Sequence, residues 1–328
     1  MATLANLGAL GTHDDLLLRV SPPRVPRHLL ARARLSADEP RWREAQVLLV
    51  QSPAGYGKTS LLAQWRREHL AHGTVVAWLS ASERDDPQRL LRGLTLALRS
   101  GAARPHFGHT LLDSGVAGLE GITGWLAELA HSALDTVLIV DEVDRLPEPA
   151  REMLGYLLRN APPNLRVVVA ARSDGLLDLQ DLQDLVAYGQ CVVLGAPQLA
   201  FELPETLQLV RQRGESRLDA DAAARLHELT EGWPLGLQLV LAALAEASDP
   251  RAALDAIATR GGALHEQLVS LLLAKLAPDD LQFLTRIAAL DLLHPALCST
   301  LAGEDAAPRL ARLVRETMES YSVRSAQA

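Results

Sequence analysis

The nine residues Ser52-Pro53-Ala54-Gly55-Tyr56-Gly57-Lys58-Thr59-Ser60 have the composition of a loop built to hold an anion. Their spacing approximates G-x-x-x-x-G-K-[ST], with Ser52 where the first glycine is expected. Gly55 and Gly57 let backbone N–H groups turn inward on a phosphate, and a helix starting at Lys58 would present its positive end to it. Lys58 would reach the β- and γ-phosphates of a nucleotide, and the Thr59 hydroxyl would ligate Mg2+. Pro53, Ala54, Tyr56 and Ser60 complete the candidate binding loop. An ordinary glycine-rich strand-to-helix turn would share the pattern. Context favours the phosphate loop: Lys58 and Lys275 are the only lysines among 32 basic residues. A planar guanidinium does not replace a compact ammonium in a tight loop.

Two later segments supply the other groups such a site needs. Val137-Leu138-Ile139-Val140-Asp141-Glu142 is four apolar residues followed by two acids. Asp141 would hold Mg2+, and Glu142 would orient or deprotonate an attacking water. The alternative is that acids simply terminate a strand. Asp144, close by, is expected to be solvated. Arg172 follows Val169-Ala170-Ala171 and should emerge at the same edge, where it can sense or stabilise a terminal phosphate. A surface arginine in an arginine-rich chain accounts for its position nearly as well. The candidate catalytic set is therefore Lys58, Glu142 and Arg172, with Thr59 and Asp141 toward the metal.

These residues need a parallel sheet to bring them together. Short apolar, β-branched runs at Val47–Val50, Val75–Leu79, Val137–Val140, Val167–Val169 and Cys191–Leu194 suit strands buried on both faces. Helical patterns at Lys58–Leu70, Pro87–Arg99, Gly121–His131 and Pro149–Asn160 alternate with them, which predicts an α/β layer sandwich. After about Leu203 only helices are suggested: Pro204–Arg213, Asp219–Thr230, Leu235–Ala247, Ala252–Ala258, Leu264–Leu276, Asp279–Leu290 and Ala307–Ser320. Residues 1–44 form an N-terminal arm, with Ser21-Pro22-Pro23 as an extended lead-in. The seven arginines from Arg19 to Arg43 read as a solvated face in preference to a phosphate or nucleic-acid contact.

Composition narrows the function classes. The 328 residues carry 32 basic and 40 acidic side chains, a net charge of −8, and 48% are hydrophobic, as in a folded globular protein. An isoelectric point near 5.7 argues against a large nucleic-acid-binding surface. Two cysteines, Cys191 and Cys298, make no disulfide framework. No apolar run approaches the roughly 18–20 residues that would cross a bilayer, so a cytoplasmic location without membrane contact is expected. The ten histidines are scattered without zinc-type spacing, and no G-x-S-x-G elbow occurs.

Taken together, the loop with Tyr56, the segment Val76-Ala77-Trp78-Leu79-Ser80, the Asp141 strand and the Arg172 strand resemble the ATPase module of MalT-type transcriptional regulators. These belong to the signal-transduction ATPases called STAND, many of which carry a LuxR-type DNA-binding end. Thr230-Glu231-Gly232-Trp233-Pro234-Leu235-Gly236-Leu237 is similar to the family's G-x-P signature, whose proline packs on the adenine. The resemblance runs from about Val20 to Arg315. It implies a P-loop NTPase with a five-stranded parallel sheet in the order 5-1-4-3-2, an all-α helical domain, and a partial winged-helix region. The corresponding spans are 45–200, 201–262 and 263–320, followed by a tail at 321–328. It also implies an ATP/ADP switch with Mg2+, monomeric with ADP and self-associating with ATP plus an inducer. Arg172 corresponds to the family's phosphate-sensing arginine, Pro234 to the adenine-side proline, and Arg32 to an arginine of the nucleotide-side lead-in. Relatives place a histidine of the winged-helix domain against the ADP phosphate. Here the last histidine, His294, stands in a different context, and no DNA-binding element is visible.

Two functions follow as expectations: a slowly hydrolysing regulatory switch, or an AAA+-type remodelling or other turnover ATPase. Asp141-Glu142 favours the second, and the G-x-P signature the first.

Overall fold

The computed structural model describes residues 15–24, 29–132, 134–172, 180–213, 218–247, 249–258 and 278–287, with single positions at 299, 303, 306, 308, 309 and 312. The chain divides into two compact units, Met1–Phe201 and Glu202–Ala328.

The first unit is built on five strands: β1 Val47–Gln51, β2 Val75–Ser80, β3 Thr136–Asp141, β4 Leu165–Ala171 and β5 Cys191–Leu194. All pair in parallel, in the order β2-β3-β4-β1-β5, which is the expected 5-1-4-3-2 arrangement read from the other edge. Besides short four-residue turns at Pro40–Arg43 and Ala196–Leu199, the unit's helices include α1 Lys58–Ala71, α2 Pro87–Ala102, α3 His109–Ser114, α4 Gly118–His131, α5 Glu148–Arg159 and α6 Gln180–Ala187. The side-chain alternation of a strand sorts the apolar residues into two cores. Leu49, Leu79, Leu138, Val140, Val167 and Val169 face one core, against Leu94 and Leu98 of α2, Ile122 and Trp125 of α4, and Leu154 and Leu157 of α5. Leu48, Val50, Trp78, Ile139 and Val168 face the other, against Leu61, Leu62 and Trp65 of α1. The unbroken apolar runs in the sequence are therefore two interleaved faces, each covered by helices.

The N-terminal arm is not a solvated face. Leu35 and Trp42 join the second core, and the Trp65 indole N–H donates to the Leu35 carbonyl at 2.6 Å. Glu68 of α1 accepts the Ala37 N–H at 2.6 Å, and Gln64 binds the Arg32 backbone through both its amide atoms. Arg19 donates to the Ser80 carbonyl at the end of β2 and pairs with Asp85, which is 1% exposed. The sequence signal failed here because apolar anchors spaced between arginines carry no period. Arg24, Arg41 and Arg43 are exposed as expected.

The second unit contains α7 Leu203–Gln212, α8 Ala220–Thr230, α9 Pro234–Glu246, α10 Pro250–Ala258 and α11 Pro278–Ile287. Among the described residues no strand follows Leu194. Asp219 caps α8 by accepting the Ala222 N–H at 3.0 Å, and Thr206 of α7 meets His227 of α8 at 3.0 Å. Leu209, Ala223, Leu226, Leu237, Leu241 and Leu244 are buried along these helices. The helices expected at 264–276 and 307–320, and with them most of the winged-helix span 263–320 and the tail, lie outside the described residues.

Edge strand β2 is covered by α2, and the closeness of that packing depends on Gly101. A Cβ there would fall inside the van der Waals radius of the Val76 carbonyl oxygen and 3.2 Å from the Ala77 Cα. Backbone meets backbone, so no side chain can rotate to relieve it. Gly101→Ala is expected to destabilise the first unit by about 2 kcal/mol or more in urea denaturation. A change within about 0.5 kcal/mol of wild type would show that α2 shifts freely on β2.

Candidate functional site

The carboxyl ends of β1, β3 and β4 lie side by side, because register pairs Gln51 with Ala171 and Val140 with Val169. After β1 the chain turns through Gly55 at φ 82° and Gly57 at φ 76°, both in the left-handed region that favours glycine. No acidic residue occupies the first turn of α1, so its positive N-terminal end is left for an external anion. Residues 53–60 are half-buried, and Tyr56 packs on the second core.

Lys58 donates to the carbonyls of Ser52 at 2.6 Å and Pro53 at 3.0 Å. An ammonium has three N–H donors, so one is left for a phosphate oxygen. Burial lowers its pKa to about 8, while the nearby Asp144, then Asp141, act in the opposite sense. A desolvated cation beside a helix N-terminus fits an anionic ligand.

The Thr59 hydroxyl donates to Asp141 Oδ2 at 2.7 Å, and the Glu142 N–H donates to Oδ1 at 2.9 Å. Asp141 is 4% exposed. Burial pushes its acid up to about 6 against the opposing pull of the Thr59 hydrogen bond. The two hard oxygen donors and the desolvation strain on Asp141 suit Mg2+, which would restore the ionised carboxylate. Glu142 has φ 57°, in the left-handed region, and its carboxylate rests 3.3 Å from Arg145. Arg172 begins the segment after β4, its N–H donating to Asp144 Oδ1 at 2.8 Å.

Thus Pro53, Ala54, Gly55, Tyr56, Gly57, Lys58, Thr59 and Ser60 form one loop and helix start, and Asp141, Glu142 and Arg172 share its sheet edge. Arg32 is placed elsewhere: its guanidinium donates to the Leu199 and Ala200 carbonyls, both at 2.6 Å, and lies 4.6 Å over the Phe201 ring. Pro234 belongs to the second unit, where it opens α9. Asp144 is the residue the sequence reading passed over; it is half-buried and bonded, not solvated. Its signal was the pair of apolar residues around it, Val143 and Leu146, which bury the turn.

The comparisons with known proteins bear on this site. The family described as AAA domain matches residues 41–180. The HTH-type transcriptional regulator MalT of Vibrio cholerae serotype O1 is 30% identical over 271 residues, covering 79% of this chain and 29% of that protein. The chain is a relative of the MalT-type STAND regulators. The serine/threonine-protein kinase PknK of Mycobacterium tuberculosis is 27% identical over 289 residues, covering 86% of this chain and 26% of the kinase. The chain spans less than a third of the length of either protein. Among solved structures, the Walker-type ATPase PABY2304 of Pyrococcus abyssi superposes with a TM-score of 0.51 at 17% identity, over 92% of this chain and 93% of that one. That likeness carries the α/β fold alone. No described helix is long and apolar enough to cross a membrane.

The burial of Asp141 has a consequence for stability. A carboxyl whose folded pKa is raised stabilises the fold below its unfolded value of 3.8, and that contribution is lost as pH rises through about 6. In nucleotide- and metal-free protein this amounts to about 2–3 kcal/mol at about 1.4 kcal/mol per pKa unit. Asp141→Asn, which keeps an acceptor for Glu142 and a donor for Thr59, should remove that slope in urea denaturation at pH 5 against pH 7.5. An unchanged slope would mean that Asp141 is ionised in the apo fold.

Proposed function

We propose that the chain is an ATP/ADP-binding regulatory switch, the ATPase module of a MalT-like regulator, in which slow Mg2+-dependent hydrolysis controls conformation and self-association. The observation that carries this reading is the meeting of Thr59 and Asp141 at 2.7 Å beside the Lys58 loop. Lys58 binds the β- and γ-phosphate oxygens, and the N–H groups of the loop and of the first turn of α1 hold the remaining charge. Thr59 and Asp141 would hold Mg2+, which would supply neutralisation of phosphate charge. Glu142 is the candidate to orient an attacking water, once its carboxylate leaves Arg145. Arg172 senses the terminal phosphate, so that triphosphate and diphosphate are bound unequally; this difference supplies the work of a switch.

Pro234 is assigned to the adenine through the G-x-P signature. Arg32 is assigned to bracing the lead-in against Leu199 and Ala200, in place of direct phosphate contact, because its guanidinium is committed to those carbonyls. Transcriptional control and a cytoplasmic place follow from the likeness to MalT.

The match to the AAA domain family, together with Asp141-Glu142, supports a second reading, a turnover ATPase of remodelling type. The two separate on rate and assembly. A switch turns over well below about once per second and stays monomeric in ADP, whereas a remodelling motor exceeds that rate and forms rings.

Purified protein, denatured and analysed by chromatography, is expected to release bound nucleotide. By titration, Lys58→Ala is expected to lose about a hundredfold or more in Mg-ATP affinity while remaining folded. Unchanged affinity in a folded Lys58→Ala protein would sink the site assignment.

A further inference from the structure

We infer that Asp144 is a positioning residue that holds Arg172 against the phosphate end of the loop and so sets the discrimination between ATP and ADP; this rests on the nucleotide site proposed above. Three observations converge on it.

The first is the rigidity of the turn. β3 ends at Asp141, Glu142 adopts the left-handed conformation, and the chain closes a 3-10 turn over Val143–Arg145. Val143 and Leu146 are 0% and 1% exposed, so the turn is pinned in the core on either side of Asp144. The Leu146 carbonyl also accepts from Arg151 of α5 at 2.9 Å. A carboxylate fixed this way has little freedom to swing into solvent.

The second is the bond it makes. Asp144 Oδ1 accepts the backbone N–H of Arg172 at 2.8 Å. Arg172 follows directly on the last residue of β4, where the sheet ladder no longer dictates the path of the chain. One residue earlier, the Ala171 carbonyl accepts the Ser52 N–H at 3.4 Å. The Ser52 carbonyl in turn accepts from the Lys58 ammonium at 2.6 Å. A continuous hydrogen-bonded path thus runs from Asp144 through the end of β4 to the start of the loop and to Lys58.

The third is charge. Among the ionised groups around Lys58, Asp144 exerts the largest influence, ahead of Asp141, and Arg172 acts on the same ammonium with the opposite sign. Asp144 and Arg172 thus both lie within electrostatic range of the Lys58 ammonium. Asp144 touches no reacting atom in this assignment. Its effect is exerted through where Arg172 starts and which way it leaves the sheet, so it should matter most for a ligand that carries a γ-phosphate.

The test compares wild type, Asp144→Ala and Asp144→Asn by titration with Mg-ATP and with Mg-ADP, alongside thermal unfolding. Asp144→Ala removes the acceptor; the ATP-to-ADP affinity ratio is expected to fall about tenfold, with ADP affinity changed much less. Asp144→Asn keeps an oxygen acceptor for the Arg172 N–H and should restore most of the ratio. Equal losses for both nucleotides in Asp144→Ala, or a ratio unchanged in a folded protein, would overturn the inference, as would a wild-type ratio of one. Failure of the nucleotide site itself gives a separate signature: wild type and Lys58→Ala then bind both nucleotides equally poorly.

Discussion

A carboxylate buried at the end of an otherwise apolar strand is the constraint around which the first unit is organised. Asp141 is 4% exposed, and an ionised group in that position is tolerated only with partners. Its two oxygens are taken by the Thr59 hydroxyl and the Glu142 N–H, at 2.7 and 2.9 Å. The first partner is the second residue of α1, so the bond fixes where that helix begins relative to β3. The second requires the chain to turn at once after the strand, which is why Glu142 accepts the left-handed conformation that a non-glycine residue rarely adopts. The loop, the helix start and the turn bearing Asp144 are thus tied to a single side chain.

The sheet carries this group above a closely packed apolar base. Strand residues alternate between two cores, and both are closed by helices whose tryptophans fill large volumes. Trp125 stands edge-on to Phe107 at 5.7 Å, and Trp65 lies 6.3 Å from Trp42. Edge strand β2 is packed against α2 through the close approach at Gly101 and is clamped at its end by Arg19 on the Ser80 carbonyl. Ser80 is register-paired with Asp141. The N-terminal segment is thereby fastened next to the strand that carries the site, although its sequence reads as a string of surface arginines.

This contrast explains what was legible in the sequence. Strands buried on both faces leave unbroken apolar runs, so the five strands could be located to within a residue or two, and the glycine-rich loop with its lysine falls directly after the first of them. Helices with a capping residue or an early proline, such as α2 after Asp86 and α9 at Pro234, announced themselves as well. Short elements held by tertiary contacts did not. The six-residue α3 buries none of its own side chains, and nothing local specifies it. Asp144 was misread for a related reason: its value comes from the backbone N–H of a residue 28 positions away, a partner that spacing along the chain cannot disclose. Arg32 was assigned by resemblance alone, and the Leu199 and Ala200 carbonyls and the Phe201 ring that hold its guanidinium are likewise too far along the chain for spacing to disclose.

The G-x-P segment of the second unit has a local physical origin that bears on its function. Glu231 and Gly232 are consecutive left-handed residues at φ 50° and 70°, which end α8 and reverse the chain. Pro234 then supplies the fixed φ favoured in the first turn of α9. The Trp233 ring lies so close to Gly236 that an added Cβ would meet its Cε3 at 2.6 Å, so the glycine is needed for the ring to fold over the new helix. Gly232, Pro234 and Gly236 are therefore suited to their places by backbone and packing alone. Such rigidity is what the adenine role proposed for Pro234 would require, since every degree of freedom frozen on binding would be lost from the affinity.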